Sequence, residues 1–156
     1  MAMSPYLAEL RAEVGSRLLL LPAVTGMVFD SYGRLLVARH EDLGFWAPPG
    51  GGVDPDEVPE EAIVRELAEE VGLEVEVRGL IGVFGGPEFR TVYPNGHECA
   101  YVNAVYALAV VGGTPTPDME EITEVRWVGE EEASGLEMPA WAPRVLPAAF
   151  AWWDNH

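Results

Sequence analysis

The sequence predicts an α/β or α+β fold built around a mixed β-sheet, and three observations carry that expectation. The chain has 156 residues, a length that suits one domain with one core. Apolar residues make up 49% and aromatic residues 10%, ample for burial despite a net charge of −17. Segments with strand character outnumber helical ones, and no repeat or linker divides the chain. Residues 1–156 are therefore expected to form a single domain.

The elements are read in chain order. Residues 5–14 set Tyr6, Leu7, Leu10 and Val14 at helical spacing, predicting a short amphipathic helix. Arg17 to Pro22 reads as a first extended piece that the proline ends. Ala23–Phe29 and Arg34–Arg39 are apolar, β-rich runs flanking Asp30-Ser31-Tyr32-Gly33, a hairpin signal. His40 to Gly52 reads as a loop. Its end, with Pro48 and Pro49 followed by Gly50, Gly51 and Gly52, marks backbone that turns sharply and approaches something closely. Residues 59–71 predict a helix: Pro59 suits the first turn, Glu60 and Glu61 favour the positive dipole end, and Gly72 suits a left-handed stop. Glu74–Phe84 and Ala100–Val111 read as strands, Gly112–Pro117 as a loop and Glu124–Val128 as a short strand. Glu130–Gly135 and Ala142–Trp153 are read as closing helices, with Trp152 and Trp153 packing on the domain or on a second subunit.

Charge and cysteine content narrow the partners. The nine basic residues are all arginine. So acidic a surface repels phosphate backbones and anionic membranes, which argues against a nucleic-acid polymer or a membrane as partner. The single cysteine, Cys99, excludes an internal disulfide and a cysteine-based zinc site, and fits a reducing cytoplasm. Residues 1–5 lack the features of a signal peptide, and no apolar run approaches the roughly 20 residues needed to span a bilayer. A soluble, cytoplasmic protein is expected.

The charge is clustered. Residues 51–73 hold eight acids against Arg65, and residues 118–137 hold eight against Arg126. At about 100° per residue, Glu66, Glu69 and Glu70 fall within an arc of about 100° beside an apolar stripe of Ile63, Val64, Leu67 and Val71. Three carboxylates so placed repel one another. Arg65 can pair with Glu69 four residues on, but one guanidinium cannot neutralise three acids. A divalent cation can. With carboxylate ligands and no His or Cys nearby, Mg²⁺ is expected first and Mn²⁺ second, and such ions bring a phosphorylated ligand with them. The glycine-rich loop just upstream can bring a backbone carbonyl to the same ion.

Residues 51–73, GGVDPDEVPEEAIVRELAEEVGL, resemble the Nudix box, G-x5-E-x7-R-E-U-x-E-E-x-G-U with U aliphatic. Gly51, Glu57, Arg65, Glu66, Leu67, Glu69, Glu70, Gly72 and Leu73 fill every specified position. The resemblance extends from about Ala23 to Val128. Asp56 departs from it, standing where glycine is commonest, and so does Pro48, where an aliphatic residue usually precedes Pro-Gly-Gly. Both bear on loop conformation rather than on chemistry.

What the resemblance implies is an α/β/α sandwich around a mixed sheet, and hydrolysis of a diphosphate bond in a nucleoside diphosphate linked to another group. Glu66, Glu69 and Glu70 take the metal-ligand places, with Gly50 as carbonyl ligand. Arg65 orients the carboxylates, Glu57 supports the turn into the helix, and Gly51 and Gly72 are structural. A glutamate from a late loop can complete such a site as ligand or general base; among Glu120, Glu121 and Glu124 the choice falls on Glu121. Arg39 and Arg90 are candidates to hold phosphate, and Trp46 and Phe45 to stack on a base, with a core role for Trp46 equally open. His40, His97, His156 and Cys99 read as incidental. Pro87, fourteen residues past Leu73, hints at ADP-ribose; a damaged nucleoside triphosphate is the rival. A non-catalytic nucleotide sensor on the same scaffold is the alternative, although none of the box carboxylates is lost. A diphosphate isomerase ranks last because Cys99 lies far from the box. Similar proteins are often homodimers, and that state is left open.

Overall fold

A computed structural model describes residues 3–156. Met1 and Ala2, part of the N-terminal segment read above, lie outside them. The elements are α1 (Pro5–Val14), β1 (Leu19–Val28), β2 (Leu35–His40), β3 (Trp46–Ala47), β4 (Gly50–Gly52), α2 (Pro59–Val71), β5 (Glu74–Phe84), β6 (Arg90–Val92), β7 (Glu98–Gly112), β8 (Ile122–Val128), α3 (Glu130–Ser134) and α4 (Ala142–Asn155).

Two sheets form the middle layer. The larger runs β4-β1-β7-β5, with β6 also on β7, and is mixed because β1 and β7 are parallel. The smaller, β3-β2-β8, is antiparallel. Strand alternation sends side chains to two opposite cores. Val24, Val28, Leu36, Ala38, Tyr106 and Leu108 pack with Ile63, Leu67 and Val71 of α2. Met27, Leu35, Val37 and Val105 pack with Val145, Ala149 and Phe150 of α4. Helices on both faces of the strands make the expected sandwich. Gly26 lets α2 approach closely: a Cβ there would lie 2.5 Å from Leu108 Cδ1 and 3.0 Å from Leu67 Cδ2.

Several elements depart from the expectation. Pro22 does not end a strand, because β1 runs through it. Its carbonyl accepts from the Val53 N–H beyond the end of the β4 ladder, so the edge its nitrogen faces asks for no ladder donor. The Asp30–Gly33 turn forms, with Asp30 Oδ1 accepting from the N–H groups of Tyr32 and Arg34. The strands it joins then diverge into different sheets, and the Phe29–Leu35 bridge alone pairs them. The loop before α2 contains two short strands, β3 and β4.

Helix α1 is anchored differently from its apolar spacing. Tyr6 is exposed and Arg11 is the buried residue. Arg11 donates to the carbonyls of Gly15, Arg17 and Glu98 and to Cys99 Sγ, which ties the helix to β7. At the other end of the chain, Trp153 stacks on Phe29 at 5.2 Å between centroids, and Trp152 lies against Gly79. Both tryptophans therefore pack on their own domain.

Candidate functional site

Helix α2 carries the acidic cluster, and its ends are set locally. Pro59 at its start removes an N–H that would lack a partner, and Glu60 and Glu61 occupy the first turn. At its end Gly72 adopts a left-handed φ of 68°, donating to Ala68, while Leu73 donates to Leu67. This stop returns the chain into β5 and buries Leu73.

Arg65 organises the outer side of the cluster. Its Nε and Nη2 donate to the two Glu57 carboxylate oxygens at 2.7 and 2.9 Å. Nη2 also reaches the Gly52 carbonyl at 3.1 Å, and Nη1 donates to Glu66 at 3.0 Å and Glu69 at 3.2 Å. Glu57 in turn accepts from the Asp54 N–H. The hydrogen bond from Arg65 holds the Glu57 carboxyl below the usual glutamate range. The guanidinium thus staples the loop to the helix and turns two acids toward itself. Asp56, in the same loop, has φ of +67°, the left-handed region that glycine adopts without strain and Asp tolerates better than most residues.

The inner side is buried. Glu66 is 7% exposed and Glu70 3%, whereas the Glu69 side chain is 60% exposed and faces Arg65. Burial raises the Glu66 carboxyl, and raises Glu70 further because the Glu66 charge and then that of Glu121 add to it. A backbone hydrogen bond from Gly50 opposes that rise. Glu70 Oε2 is buried and has no hydrogen-bond partner among the described residues. Gly51 makes room for one of these carboxylates, since a Cβ there would lie 2.3 Å from Glu66 Oε1, while Gly50 lets β4 pair closely with β1, where a Cβ would lie 2.3 Å from the Val24 carbonyl oxygen. Among the described residues, no three His, Cys, Asp or Glu side chains converge into a ready cage. The expected triad is therefore divided, with Glu66 and Glu70 inside and Glu69 on Arg65.

Glu121 is brought to this place by a device the sequence reading missed. Asp118 Oδ1 accepts from the N–H groups of Glu120, Glu121 and Ile122, at 2.9, 3.0 and 2.9 Å. The Asp118 N–H donates to the Glu70 carbonyl, tying this loop to the end of α2. An Asp four residues before a strand, able to cap the turn with its side chain, was the available signal. Glu120 and Glu124 are exposed, and Glu124 pairs with Arg126 at 3.5 Å.

The substrate candidates fare differently. Trp46 is 5% exposed in the core on the α4 face, with Arg126 4.7 Å from its ring centroid. It packs and offers no open face to a base. Arg39 stands opposite Glu124 and 6.0 Å from Trp46, and no hydrogen bond or ion pair joins it to Glu66, Glu69 or Glu70 among the described residues. Arg90 pairs with Glu98. Beside Gly50 and Gly51 lies a cavity of about 110 Å³ whose wall includes Phe45, Tyr93, Tyr101 and Trp141. His40 also lines it, and burial lowers its imidazole to about 4, so it is neutral at physiological pH.

The NUDIX domain family model matches residues 19–149. The chain belongs to the Nudix family. A MutT-like protein of Streptomyces ambofaciens is 36% identical over 81% of this chain and 75% of its own length. An ADP-ribose pyrophosphatase of Methanocaldococcus jannaschii is 40% identical over 62% of this chain and 56% of its own, so the match spans little more than half of that relative. Among solved structures, a Nudix hydrolase from Nitrosomonas europaea superposes with a TM-score of 0.70 at 18% identity, over 85% of this chain and 90% of the other. That likeness establishes the Nudix fold, an α/β/α sandwich in this chain as in its relatives.

Proposed function

We propose that this Nudix protein hydrolyses a diphosphate bond in a small nucleoside diphosphate linked to another group, and that it does so with Mg²⁺, for which Mn²⁺ can substitute. The observation that carries the reading is the buried Glu66–Glu70 pair with its partnerless Oε2. Two carboxylates in so dry a place, both pushed toward the neutral form, are costly unless a cation joins them. Oxygen donors alone suit a hard divalent ion. The residues present thus fit such an ion, with Glu66, Glu69, Glu70 and the Gly50 carbonyl as its ligands. When bound, the ion neutralises bridging phosphates and makes water a better nucleophile.

The chain's own residues have separate tasks. Glu66 and Glu70 would supply negative charge at the base of the site once a cation joins them. Glu69 is exposed and can leave Arg65 to reach a ligand. Arg65, bonded to Glu57 through both of that residue's carboxylate oxygens, keeps the loop and helix in register while Glu69 moves. Glu121, tethered through Asp118, is the candidate to take a proton from the attacking water, because its charge already reaches Glu70.

Relatives named as an ADP-ribose pyrophosphatase and as a MutT-like protein keep both substrate types in view. A screen of nucleoside diphosphate compounds with Mg²⁺ or Mn²⁺, read by product mass, tests the proposal. Release of a nucleoside monophosphate is expected, falling by about a hundredfold or more in Glu69→Gln and Glu70→Gln. Full activity in either variant removes that residue from the role given to it.

A further inference from the structure

The turn between β6 and β7 carries a chemistry that the acidic site does not use. The chain has three asparagines and no glutamine. Asn103 is buried on β7 and hydrogen-bonds the Thr25 hydroxyl, and Asn155 on α4 donates to the Ala151 carbonyl at 2.7 Å. Asn95 differs from both. It is exposed at the tip of the turn that spans residues 93–97, and Gly96 follows it with a left-handed φ of +86°. A Cβ on Gly96 would meet nothing within 4 Å, so nothing packs over the tip among the described residues.

Two contacts prepare the Asn95 side chain. Its Oδ1 accepts from the His97 N–H at 2.9 Å, and its Nδ2 lies 3.2 Å from His97 Nδ1. The first bond fixes which amide atom faces where, because a backbone N–H needs an acceptor. It also draws electrons from Cγ and stabilises negative charge that develops on the oxygen. The second sets an imidazole against the nitrogen that would leave. Glycine comes next in the chain, and with no Cβ it hinders attack by its own nitrogen least. That nitrogen donates to the Tyr93 carbonyl at 2.8 Å, a bond released at an exposed tip when the reaction occurs.

We infer that Asn95 is a self-modifying site: the Gly96 nitrogen attacks Asn95 Cγ with His97 assisting, and the side chain passes through a cyclic imide to aspartate and isoaspartate. The bond from Gly96 N to Cγ forms, the Cγ–Nδ2 bond breaks, and Nδ2 leaves as ammonia. The proton lost by the Gly96 N–H balances the one that ammonia gains, with the imidazole as carrier. Water then opens the imide at either carbonyl, and no electrons are exchanged. Isoaspartate puts one more carbon into the main chain of the turn. Across that turn the Tyr93 N–H donates to the His97 carbonyl, and Tyr93 lines the cavity beside Gly50. The modification thus reaches a wall of that cavity. It does not rest on the hydrolase reading.

The test incubates the whole chain in warm neutral buffer for several weeks and follows it by peptide mass mapping. Deamidation exchanges –NH2 for –OH, and with three candidate amides in the chain each site is read separately. Conversion is expected at Asn95, giving isoaspartate as well as aspartate, while Asn103 and Asn155 stay intact. His97→Phe and His97→Gln keep the backbone donor and remove the proton carrier. Each should slow the conversion by about tenfold or more. In urea, once the turn has melted, wild-type and variant chains should convert at one rate. No conversion at Asn95, equal conversion at all three sites, folded variants as fast as wild type, or a difference that persists in urea would overturn the inference. Should one variant fail to fold, the other decides it.

Discussion

Glu57, Glu66 and Glu70 show how differently carboxylates on one stretch of chain behave. Glu57 is held ionised by Arg65, so its contribution to stability is present above the ordinary glutamate range and is lost as pH falls through its lowered value. Glu70 runs the other way. Its folded form is raised, mainly by burial, so its contribution is present below the ordinary value of 4.5 and is lost as pH rises through the raised one. Metal-free protein should therefore lose stability from this group as pH climbs above the glutamate range. A cation that binds the ionised pair should restore it. The expected result is a gain in Tm on adding Mg²⁺ that is larger near pH 8 than near pH 5; thermal melts with Mg²⁺ and with a chelator check it, and a gain that shrinks with pH contradicts it. Gly51 offers a second test at this scale. Gly51→Ala would drive a Cβ into Glu66, at 2.3 Å from Oε1, and displace the carboxylate rather than the core. Activity should fall by about a hundredfold, as misplacement of a catalytic group does, while the melting curve shifts far less.

Among the elements, α2 and α1 illustrate two ways of holding a helix. The first is held by an apolar stripe whose residues Ile63, Leu67 and Val71 are fully buried, and its period was plain in the sequence. The second has its apolar residues half exposed and is pinned by the single buried guanidinium of Arg11. Truncating that side chain leaves three carbonyls of residues 15, 17 and 98 without their donor. Arg11→Ala is expected to destabilise α1 by about 2–3 kcal/mol and let it detach. Limited proteolysis should then cut near Gly15, while diphosphate hydrolysis persists, because α1 contributes no residue to the acidic site. Loss of hydrolysis in parallel with cutting would place α1 in the active structure.

At the scale of the whole molecule, α2 is the shared element of fold and site. Leu67 is fully buried where side chains of both sheets meet, with Glu66 beside it in the chain and Glu70 three residues on. Leu67→Ala should therefore cost about 2–5 kcal/mol by leaving a cavity in that core. Because Glu66 is its chain neighbour, activity should decline below the melting transition as well. Urea denaturation alongside activity at constant temperature checks both; a stability loss under about 1 kcal/mol would show that the core closes over the gap. The charge of −17 has a local meaning on this scale. Eight of the acids lie in residues 51–73, where the structure divides them between a guanidinium, the solvent and the buried pair.

Much of this was legible in the chain itself. The spacing of residues 51–73, the stop at Gly72 and the long strands at 74–84 and near 100–111 depend on local backbone preference and period, which neighbouring residues encode. The ion pair of Arg65 with Glu69 follows from helix geometry alone. The division of the three acids, the burial of Trp46, the anchoring of α1 by Arg11 and the placing of Asp118, Glu121, Thr25 and Asn103 were not legible. Each depends on a contact between residues distant in sequence: Arg11 with Glu98, Thr25 with Asn103, Asp118 with Glu70. Periodicity states which face of an element is apolar, but not which other element covers it. Solvent exposure, and with it the charge state of every buried carboxylate, is settled only when the sheets and helices have packed.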